Sequence, residues 1–302
     1  MISDQIRNTT AESGIDVVGF TDASPFSDYM IDNSIRKDPK ITMPEAKSII
    51  VVGIYIGGMK LPVWDDQKYG RTSRLYLSGF FLDVIKPLEP IVQLLRREGY
   101  KAVTCDSSNE KGSILPLKLA AVRAGLGWQG KHTLLISKKY GSFLALGGIL
   151  TDAVLDYCTA QVSNKCNRCT KCQTSCPMDA LENPFKLYRD RCLSYLLQTD
   201  HYPDEARDKA QNRIGDCEIC QDACPWNQKH IHQPLNTKLA EDFGNKIESI
   251  QGGFLLTELE KMTSHQYKEN FGKFHTEIPF DLFSRNVKAA ISNQHKYYLY
   301  QN

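Results

Sequence analysis

Cysteine is the residue type in this sequence whose spacing points most directly to chemistry. The chain has ten cysteines, and eight of them lie between Cys166 and Cys224. Disulfide frameworks belong mainly to small secreted domains and are seldom confined to one stretch of a long chain. Thiolates at short, repeated spacings are instead typical metal ligands. The cysteine-rich stretch therefore predicts a metal centre.

Two cysteine runs have the spacing of iron–sulfur ligands. The run CNRCTKCQTSCP matches the C-x2-C-x2-C-x3-C-P signature of bacterial ferredoxins, in which the fourth cysteine binds the other of two [4Fe–4S] clusters. The second run, CEICQDACPW, has one cysteine fewer, and Cys192 between the runs supplies the missing ligand. The same crossover predicts one cluster on Cys166, Cys169, Cys172 and Cys224, and a second on Cys176, Cys192, Cys217 and Cys220. Two zinc sites are the alternative, although zinc does not require a Cys-Pro pair in both runs.

The elements that position these cysteines follow three compositional zones. Residues 1–157 alternate between helical and strand patterns, including a helix at 2–14, a buried strand in KSIIVVGIYIG and a helical pattern with two prolines at 80–98. Short helical stretches separate the cysteines at 158–230, and residues 231–302 are mostly helical and polar. We therefore predict an α/β (α+β) domain, then a ferredoxin-like domain with two [4Fe–4S] clusters, and a helical C-terminal segment. Because clusters transfer single electrons, the first domain is expected to bind what they reduce.

Composition places the chain among ordinary globular proteins. Hydrophobic residues make up 41% and charged residues 24%, and the formal net charge is +2. The longest apolar stretch is about half of what a membrane helix needs, and the N-terminus lacks the pattern of a secretory signal. A cytoplasmic protein that does not enter the membrane is expected. The charge balance gives no independent argument for nucleic acid.

A glycine-rich stretch before the cysteines, read together with them, identifies a family. RAGLGWQGKHTLLISKKYGSFLALGGILTD, the first cysteine run, RCLSYL and GDCEICQDACPWNQ occur in an order that resembles the epoxyqueuosine reductase family. These cobalamin- and [4Fe–4S]-dependent enzymes reduce the epoxide of a queuosine precursor in tRNA, and they are related in plan to the corrinoid reductive dehalogenases. A dinucleotide site is poorly supported, because G-x-G-x-x-G after a strand is missing.

The resemblance implies a base-off cobalamin that the clusters reduce to Co(I), with electrons from a low-potential donor of the ferredoxin or flavodoxin type. A protein acid would protonate the substrate. Asp106 in VTCDSS is the first candidate, although it lies farther from the glycine-rich turn than the family pattern has it, and Tyr76 is the second, with Arg71 and Arg74 near it in sequence. His132 is expected to hydrogen-bond or pack rather than bind cobalt. The other residues expected around cobalamin are Tyr69, Trp128, Gly130, Lys131, Thr133, Leu134, Leu135, Ser142 and Leu146.

Three hypotheses about the function stay open at this point. Longer family members carry a C-terminal helical-repeat extension used with tRNA, and this chain is expected to be a short form without it. The stretch YGRTSRLYLSGF at 69–80 also departs from the family pattern. The substrate is therefore epoxyqueuosine in tRNA, or a small electrophile as in reductive dehalogenation. The third hypothesis is an electron-transfer protein that has no substrate of its own.

Overall fold

The structure is a computed structural model, and it divides the chain into two compact units that alternate along the sequence. Asp106, the first candidate acid, lies outside the described residues, as does the cysteine at 158. No helix within the described part is both long and apolar enough to cross a membrane. The structure describes residues 1–30, 34–78, 86–105, 114–157, 162–236, 240–241, 244, 251–271 and 278–299, without the side chains of 295–299.

The first unit is built on a four-stranded sheet with the strand order β1-β2-β6-β3 and antiparallel pairing throughout. A two-stranded sheet, β4-β5, accompanies it. The unit comprises Met1–Tyr55, Asp83–Cys169 and Leu235–Lys238. Its strands are β1 (Val17–Asp22), β2 (Ser48–Tyr55), β3 (Ala102–Cys105), β4 (Trp128–Gln129), β5 (Leu135–Ile136) and β6 (Leu144–Thr151). Its helices, numbered along the whole chain, are α1 (Ile2–Glu12), α2 (Ser34–Lys37), α3 (Pro39–Thr42), α5 (Glu89–Arg97) and α6 (Leu117–Arg123), with a 3-10 turn at Lys86–Leu88.

The central strand β2 explains the continuous apolar run of its sequence. It pairs with β1 on one side and β6 on the other, and every one of its residues is buried. A strand covered on both faces carries apolar side chains at successive positions rather than alternate ones. Helix α6 packs on this sheet, with Ala120 and Ala121 in the same core cluster as Ile49 and Leu150. The predicted buried strand is confirmed.

The structure makes two parts of the sequence expectation more specific. The sheet is antiparallel, so within the predicted α/β (α+β) class the first unit is of the α+β type. Of the helical pattern with two prolines at 80–98, the α-helix is described from Glu89, and Pro90 lies in its first turn, where a missing N–H breaks no helical hydrogen bond. Residues 79–85 lie outside the described part.

The second unit is largely helical and combines three separated stretches of chain. Residues Lys68–Arg71 explain why an early segment belongs to it: their backbone groups bond to Asn212, Ile214, Phe254 and Leu256. The predicted division at residues 157 and 230 stays a prediction, and these contacts cross it. The unit comprises Ile56–Leu82, Thr170–Pro234 and Leu239–Asn302. Its helices are α4 (Arg74–Ser78), α7 (Lys171–Thr174), α8 (Leu193–Leu196), α9 (Asp204–Ala210), α10 (Ile219–Asp222), α11 (Pro225–Gln228), α12 (Leu256–Lys261), α13 (Ser264–Phe271) and α14 (Phe280–Leu299), with 3-10 turns at Pro62–Asp65 and Arg189–Arg191.

Candidate functional site

Several buried or half-buried thiols of the second unit lie near Cys220. The pKa of the Cys220 thiol is raised well above its ordinary value, first by burial and then by the neighbouring thiols of Cys217, Cys192, Cys176 and Cys172. Burial likewise raises the pKa of Cys217 to about 12. Adjacent buried thiols cannot all ionise unless a positive centre neutralises their charge. The structure thus brings together the four cysteines predicted for one cluster, and their chemistry fits a metal cluster.

Backbone N–H groups act against part of this rise in the thiol pKa values. Cys192 is the N-cap residue of α8, and the N–H groups of Ser194 and Tyr195 donate to its sulfur, which acts to lower the pKa of the thiol. The N–H of Ile219 does the same for Cys217. Donors aimed at a thiolate sulfur stabilise it as a ligand and tune the metal that it holds. The local helix starts therefore prepare these sulfurs for ligation.

Zinc is the alternative metal for these cysteines. No group of three or more His, Cys, Asp or Glu side chains in the described ranges is placed to hold a single metal ion. The Cys-Pro pair in both cysteine runs is the observation that favours clusters over zinc.

The other predicted ligand set is divided between the two units. Cys166 and Cys169 belong to the first unit, while Cys172 and Cys224 belong to the second, so their joint ligation stays a prediction. The two residues of the first unit lie on a tight turn in which the Cys169 N–H donates to the Cys166 carbonyl at 2.9 Å. Asn167 within this turn has a φ of 43°, in the left-handed region that asparagine tolerates.

A buried ion network adjoins the cysteines of the second unit. The Arg74 side chain is 1% exposed, and its Nη1 lies 2.5 Å from Glu218 Oε1 and 2.9 Å from Asp222 Oδ1. Arg71 Nη2 lies 2.5 Å from Asp222 Oδ2. Burial raises the pKa of Glu218, and Arg74 acts against this shift by favouring the charged carboxylate. The network fixes α10, which carries Cys220, to the segment that leads into α4.

Tyr76, the second candidate acid, lies in the interior of the second unit. It is 7% exposed, and its N–H donates to the Ser73 hydroxyl at 3.2 Å. Arg71 and Arg74, which are near Tyr76 in sequence, bind Asp222 and Glu218 through their guanidinium groups. Its surroundings are a small, mostly apolar cavity lined by Thr72, Tyr76, Ile214, Gly215, Phe254, Tyr267, Phe271, Ile278 and Phe283.

The glycine-rich stretch forms a compact turn between β4 and β5. The Gly130 N–H donates to the Leu134 carbonyl and the Thr133 N–H to the Gly130 carbonyl, both at 2.8 Å. Thr133 has a φ of 68°, which is unusual for a β-branched residue. At Gly127 a Cβ would lie 2.1 Å from the Ile136 carbonyl oxygen, so only glycine fits there. The turn is strained and closely packed, as many ligand-binding turns are.

His132 has a free donor position within this turn. It is 3% exposed, its Nδ1 accepts the Leu134 N–H at 3.2 Å, and its Nε2 makes no hydrogen bond in the part of the chain that the structure describes. Burial lowers the pKa of His132 to about 4, so the ring is neutral at pH 7. With Nδ1 accepting, the proton is on Nε2, and this buried donor can serve a bound group. The expected hydrogen-bonding role fits this geometry.

The remaining predicted residues fall into two places. Leu135 is in the hydrophobic core of the first unit and Leu146 packs against it, so packing accounts for both. Tyr69 is in the second unit, where its carbonyl accepts from Asn212 Nδ2 at 2.9 Å. The residues of the first unit predicted to contact cobalamin are Trp128, Gly130, Lys131, His132, Thr133, Leu134, Leu135, Ser142 and Leu146. That role stays a prediction, as does the catalytic role of Tyr76.

Sequence reasoning missed two functional features. Glu218 and Asp222 were not singled out, although they are four positions apart between Cys217 and Cys224, a spacing that places two side chains on one face of a helical turn. Lys131 was expected at the cobalamin, but its Nζ donates to the carbonyls of Asn167 and Cys169, each at 2.8 Å. No local pattern in the sequence links a lysine to carbonyl groups 36 residues or more away.

Comparison with known proteins agrees with this arrangement. Residues 165–227 match the 4Fe-4S double cluster binding domain, which confirms the prediction of two [4Fe–4S] clusters. A solved epoxyqueuosine reductase with an epoxyqueuosine-modified tRNA-Tyr stem loop superimposes with a TM-score of 0.77, covering 96% of this chain and 80% of that one at 25% identity. A catabolic reductive dehalogenase covers 89% of this chain and 37% of that one, with a TM-score of 0.53 at 17% identity, which is a likeness of fold alone.

The sequence relationship is close enough to assign the family. The epoxyqueuosine reductase of a Synechocystis species is 32% identical over 202 residues, which span 65% of this chain and 68% of the relative. The family inferred from the order of the glycine-rich and cysteine motifs is confirmed. With buried thiols gathered as a cluster requires and the fold of these reductases over nearly its whole length, the chain belongs to the epoxyqueuosine reductase family.

Proposed function

We propose that this protein reduces epoxyqueuosine to queuosine in tRNA, with two [4Fe–4S] clusters and cobalamin as cofactors. The observation that carries the proposal is the likeness, over 96% of the chain, to an epoxyqueuosine reductase with a modified tRNA stem loop. The gathered thiols of the second unit support the electron-transfer part of this function. The closed glycine-rich turn of the first unit supports the cofactor-binding part.

The reaction has a simple balance. Removing the oxygen of an epoxide to leave a carbon–carbon double bond takes two electrons and two protons and releases the oxygen as water. Because a [4Fe–4S] cluster transfers one electron at a time, two successive transfers are needed for each turnover. Bound cobalamin supplies the low-potential cobalt chemistry that acts on the epoxide. The chain itself holds the clusters, orients cofactor and substrate, and delivers protons.

The turn from Gly127 to Leu135 is our candidate for holding cobalamin. The His132 Nε2–H is a buried donor that needs an acceptor, and cobalamin has amide carbonyls around its ring that can accept it. Trp128, at the start of β4, is 2% exposed and is packed within the first unit. A neutral His132 does not add charge to the site, which agrees with a hydrogen-bonding role rather than ligation of cobalt.

Asp106 is our candidate for the acid that protonates the departing oxygen. Strand β3 ends at Cys105, so Asp106 directly follows a strand end. Residues in the connections that follow strands are common positions for catalytic groups. Tyr76 is the weaker candidate, because it is buried within the second unit.

The proposed function also implies its partners. The clusters need a low-potential one-electron donor, for which a small protein of the ferredoxin or flavodoxin type has the right chemistry. The substrate is tRNA that carries epoxyqueuosine. Reduced cobalt and [4Fe–4S] clusters react with oxygen, so the reducing cytoplasm is the compartment that we propose.

The decisive experiment is an anaerobic turnover assay. Protein reconstituted with iron, sulfide and cobalamin is mixed with a chemical reductant and an epoxyqueuosine-containing tRNA stem loop, and queuosine is measured by mass spectrometry. We expect conversion by the wild type, at least a hundredfold less with Asp106→Asn, and full activity with Asp4→Asn, a change at an exposed position of α1. Wild-type protein with both cofactors and no conversion would refute the function. Equal activity of the two variants would refute the role of Asp106.

The reductive dehalogenase comparison does not support a small halogenated substrate. The reductive dehalogenase likeness, at 17% identity, concerns the fold. An electron carrier without a substrate of its own is also disfavoured, because family membership extends over the first unit as well as the cluster domain.

A further inference from the structure

The loop that bears Cys166 and Cys169 is attached to the glycine-rich turn by three side-chain hydrogen bonds. Asn164 Nδ2 donates to the Gln129 carbonyl at 2.8 Å. Lys131 Nζ donates to the carbonyls of Asn167 and Cys169, at 2.8 Å each. All of these residues belong to the first unit. The turn and the cysteine loop therefore form one hydrogen-bonded substructure.

The backbone of Lys131 is also held in place, by the hydrogen bonds of its own turn. Its backbone lies within the turn closed by the Gly130–Leu134 and Thr133–Gly130 bonds, and the neighbouring His132 ring accepts the Leu134 N–H. A lysine whose backbone is held in a closed turn loses less backbone entropy when its ammonium group binds than a lysine on a mobile loop. The two carbonyls that it contacts lie two residues apart on the tight Cys166–Cys169 turn.

We propose that Lys131 is a positioning residue for the cluster bound by Cys166 and Cys169, and that its charge makes this cluster easier to reduce. The first part follows from its two charge-assisted bonds, which fix the peptides after Asn167 and Cys169. Because a trans peptide points its N–H away from its C=O, the Arg168 N–H is turned to the side opposite Lys131. The second part follows from electrostatics, since reduction adds a negative charge to the cluster and a nearby cation stabilises it.

This proposal rests on the [4Fe–4S] part of the proposed function and does not depend on the substrate. It assigns Lys131 to the electron path rather than to the cobalamin contacts that the resemblance implies. The chain also offers a matched control. Lys165 directly precedes Cys166 and is exposed, so replacing it removes the same charge near the same cysteine where solvent screens it.

The test compares full-length Lys131→Met, Lys131→Arg and Lys165→Met with wild type, each reconstituted anaerobically. Iron content is measured first, and each cluster's midpoint potential is then determined by redox titration with electron paramagnetic resonance. We expect Lys131→Met to lower the reduction equilibrium constant of one of the two clusters roughly tenfold, or about 59 mV for one electron. Lys131→Arg, which keeps the charge and the donors, should stay within twofold of wild type, as should Lys165→Met.

Other outcomes are also informative. Loss of iron in Lys131→Met with full iron in Lys131→Arg supports the positioning role. If Lys131→Met keeps its full iron content and its cluster has the same potential as in Lys165→Met, the electrostatic part of the proposal is wrong. If Lys131→Met and Lys131→Arg both lose iron, both parts are wrong. A wild type that carries both clusters and does not convert the tRNA refutes the proposed function while this comparison still stands.

Discussion

Replacing Arg74 by methionine should destabilise the second unit strongly, because this side chain satisfies two buried acceptors and one that is partly buried. Its guanidinium bonds Glu218 Oε1 at 2.5 Å, Asp222 Oδ1 at 2.9 Å and the Gly57 carbonyl at 2.9 Å. Removing the guanidinium takes away the side-chain donor to the Gly57 carbonyl. The Glu218 carboxylate then keeps Arg71 as its ion-pair partner, with Nη2 at 3.7 Å. Breaking a buried ion pair from one side costs about 3–5 kcal/mol. Burial already raises the pKa of Glu218, so this carboxylate can take up a proton when Arg74 is gone. Protonation then keeps the loss of stability within that range.

Thermal unfolding of the cluster-loaded protein measures this loss. The visible absorbance of the clusters is followed anaerobically at one fixed scan rate, since unfolding that releases iron is irreversible. At roughly 2–4 °C per kcal/mol, we expect the midpoint to fall by about 6–20 °C. Lys60→Met is the matched control, because the ion pair of Lys60 with Asp65, at 2.9 Å, is solvent-exposed and is worth about 1 kcal/mol at most. If Arg74→Met shifts the midpoint no more than this control, the assignment of the network as a buried stabilising element is wrong.

Two further predictions concern the thiols and His132. Cys192→Ala should lose one to four of the roughly eight irons per chain. Cys105→Ala, at the end of β3, should lose none. Equal iron contents in the two variants would contradict the predicted ligand set. The folded protein holds the pKa of His132 at about 4, below its ordinary value of 6.5, so the unfolded chain binds the extra proton between these values. The contribution of neutral His132 to the free energy of unfolding is complete above pH 6.5, and it falls by up to about 3 kcal/mol as the pH drops towards 4. His132→Gln should therefore flatten the dependence of the thermal midpoint on pH between 7 and 5, and parallel curves for the two proteins would show that His132 is not responsible.

The sequence predicts those parts of the molecule that depend on local pattern. The cysteine spacing indicates two clusters because ligand order in ferredoxin-type runs is set along the chain. The buried strand β2 follows from its unbroken apolar run, and Gly125, with a φ of 74°, follows α6 where a glycine stop is expected. These are short-range signals that a single sequence carries in full.

The features that escaped prediction depend on pairing across long separations. The antiparallel order of the sheet places β6 between β2 and β3, and no residue of β6 encodes which strands will flank it. The partners of Arg74 are 144 and 148 positions away, at Glu218 and Asp222. Buried charges are recognised from sequence only when both partners are known, so an isolated arginine is read as a surface residue.

The interleaving of the two units has a consequence for synthesis of the chain. The strand-like segment at Arg71 bonds to Asn212 and Ile214, which are made about 140 residues later. At roughly 5–20 residues per second, this segment leaves the ribosome about 7–30 s before its partners exist. Cys217, Cys220 and Cys224 are also among the last cysteines to emerge. With the predicted ligand set, iron and sulfide can therefore complete the second cluster site only after Cys220 has been translated, about 150 residues after the segment at Arg71, so cluster insertion follows the synthesis of the earlier segments of both units.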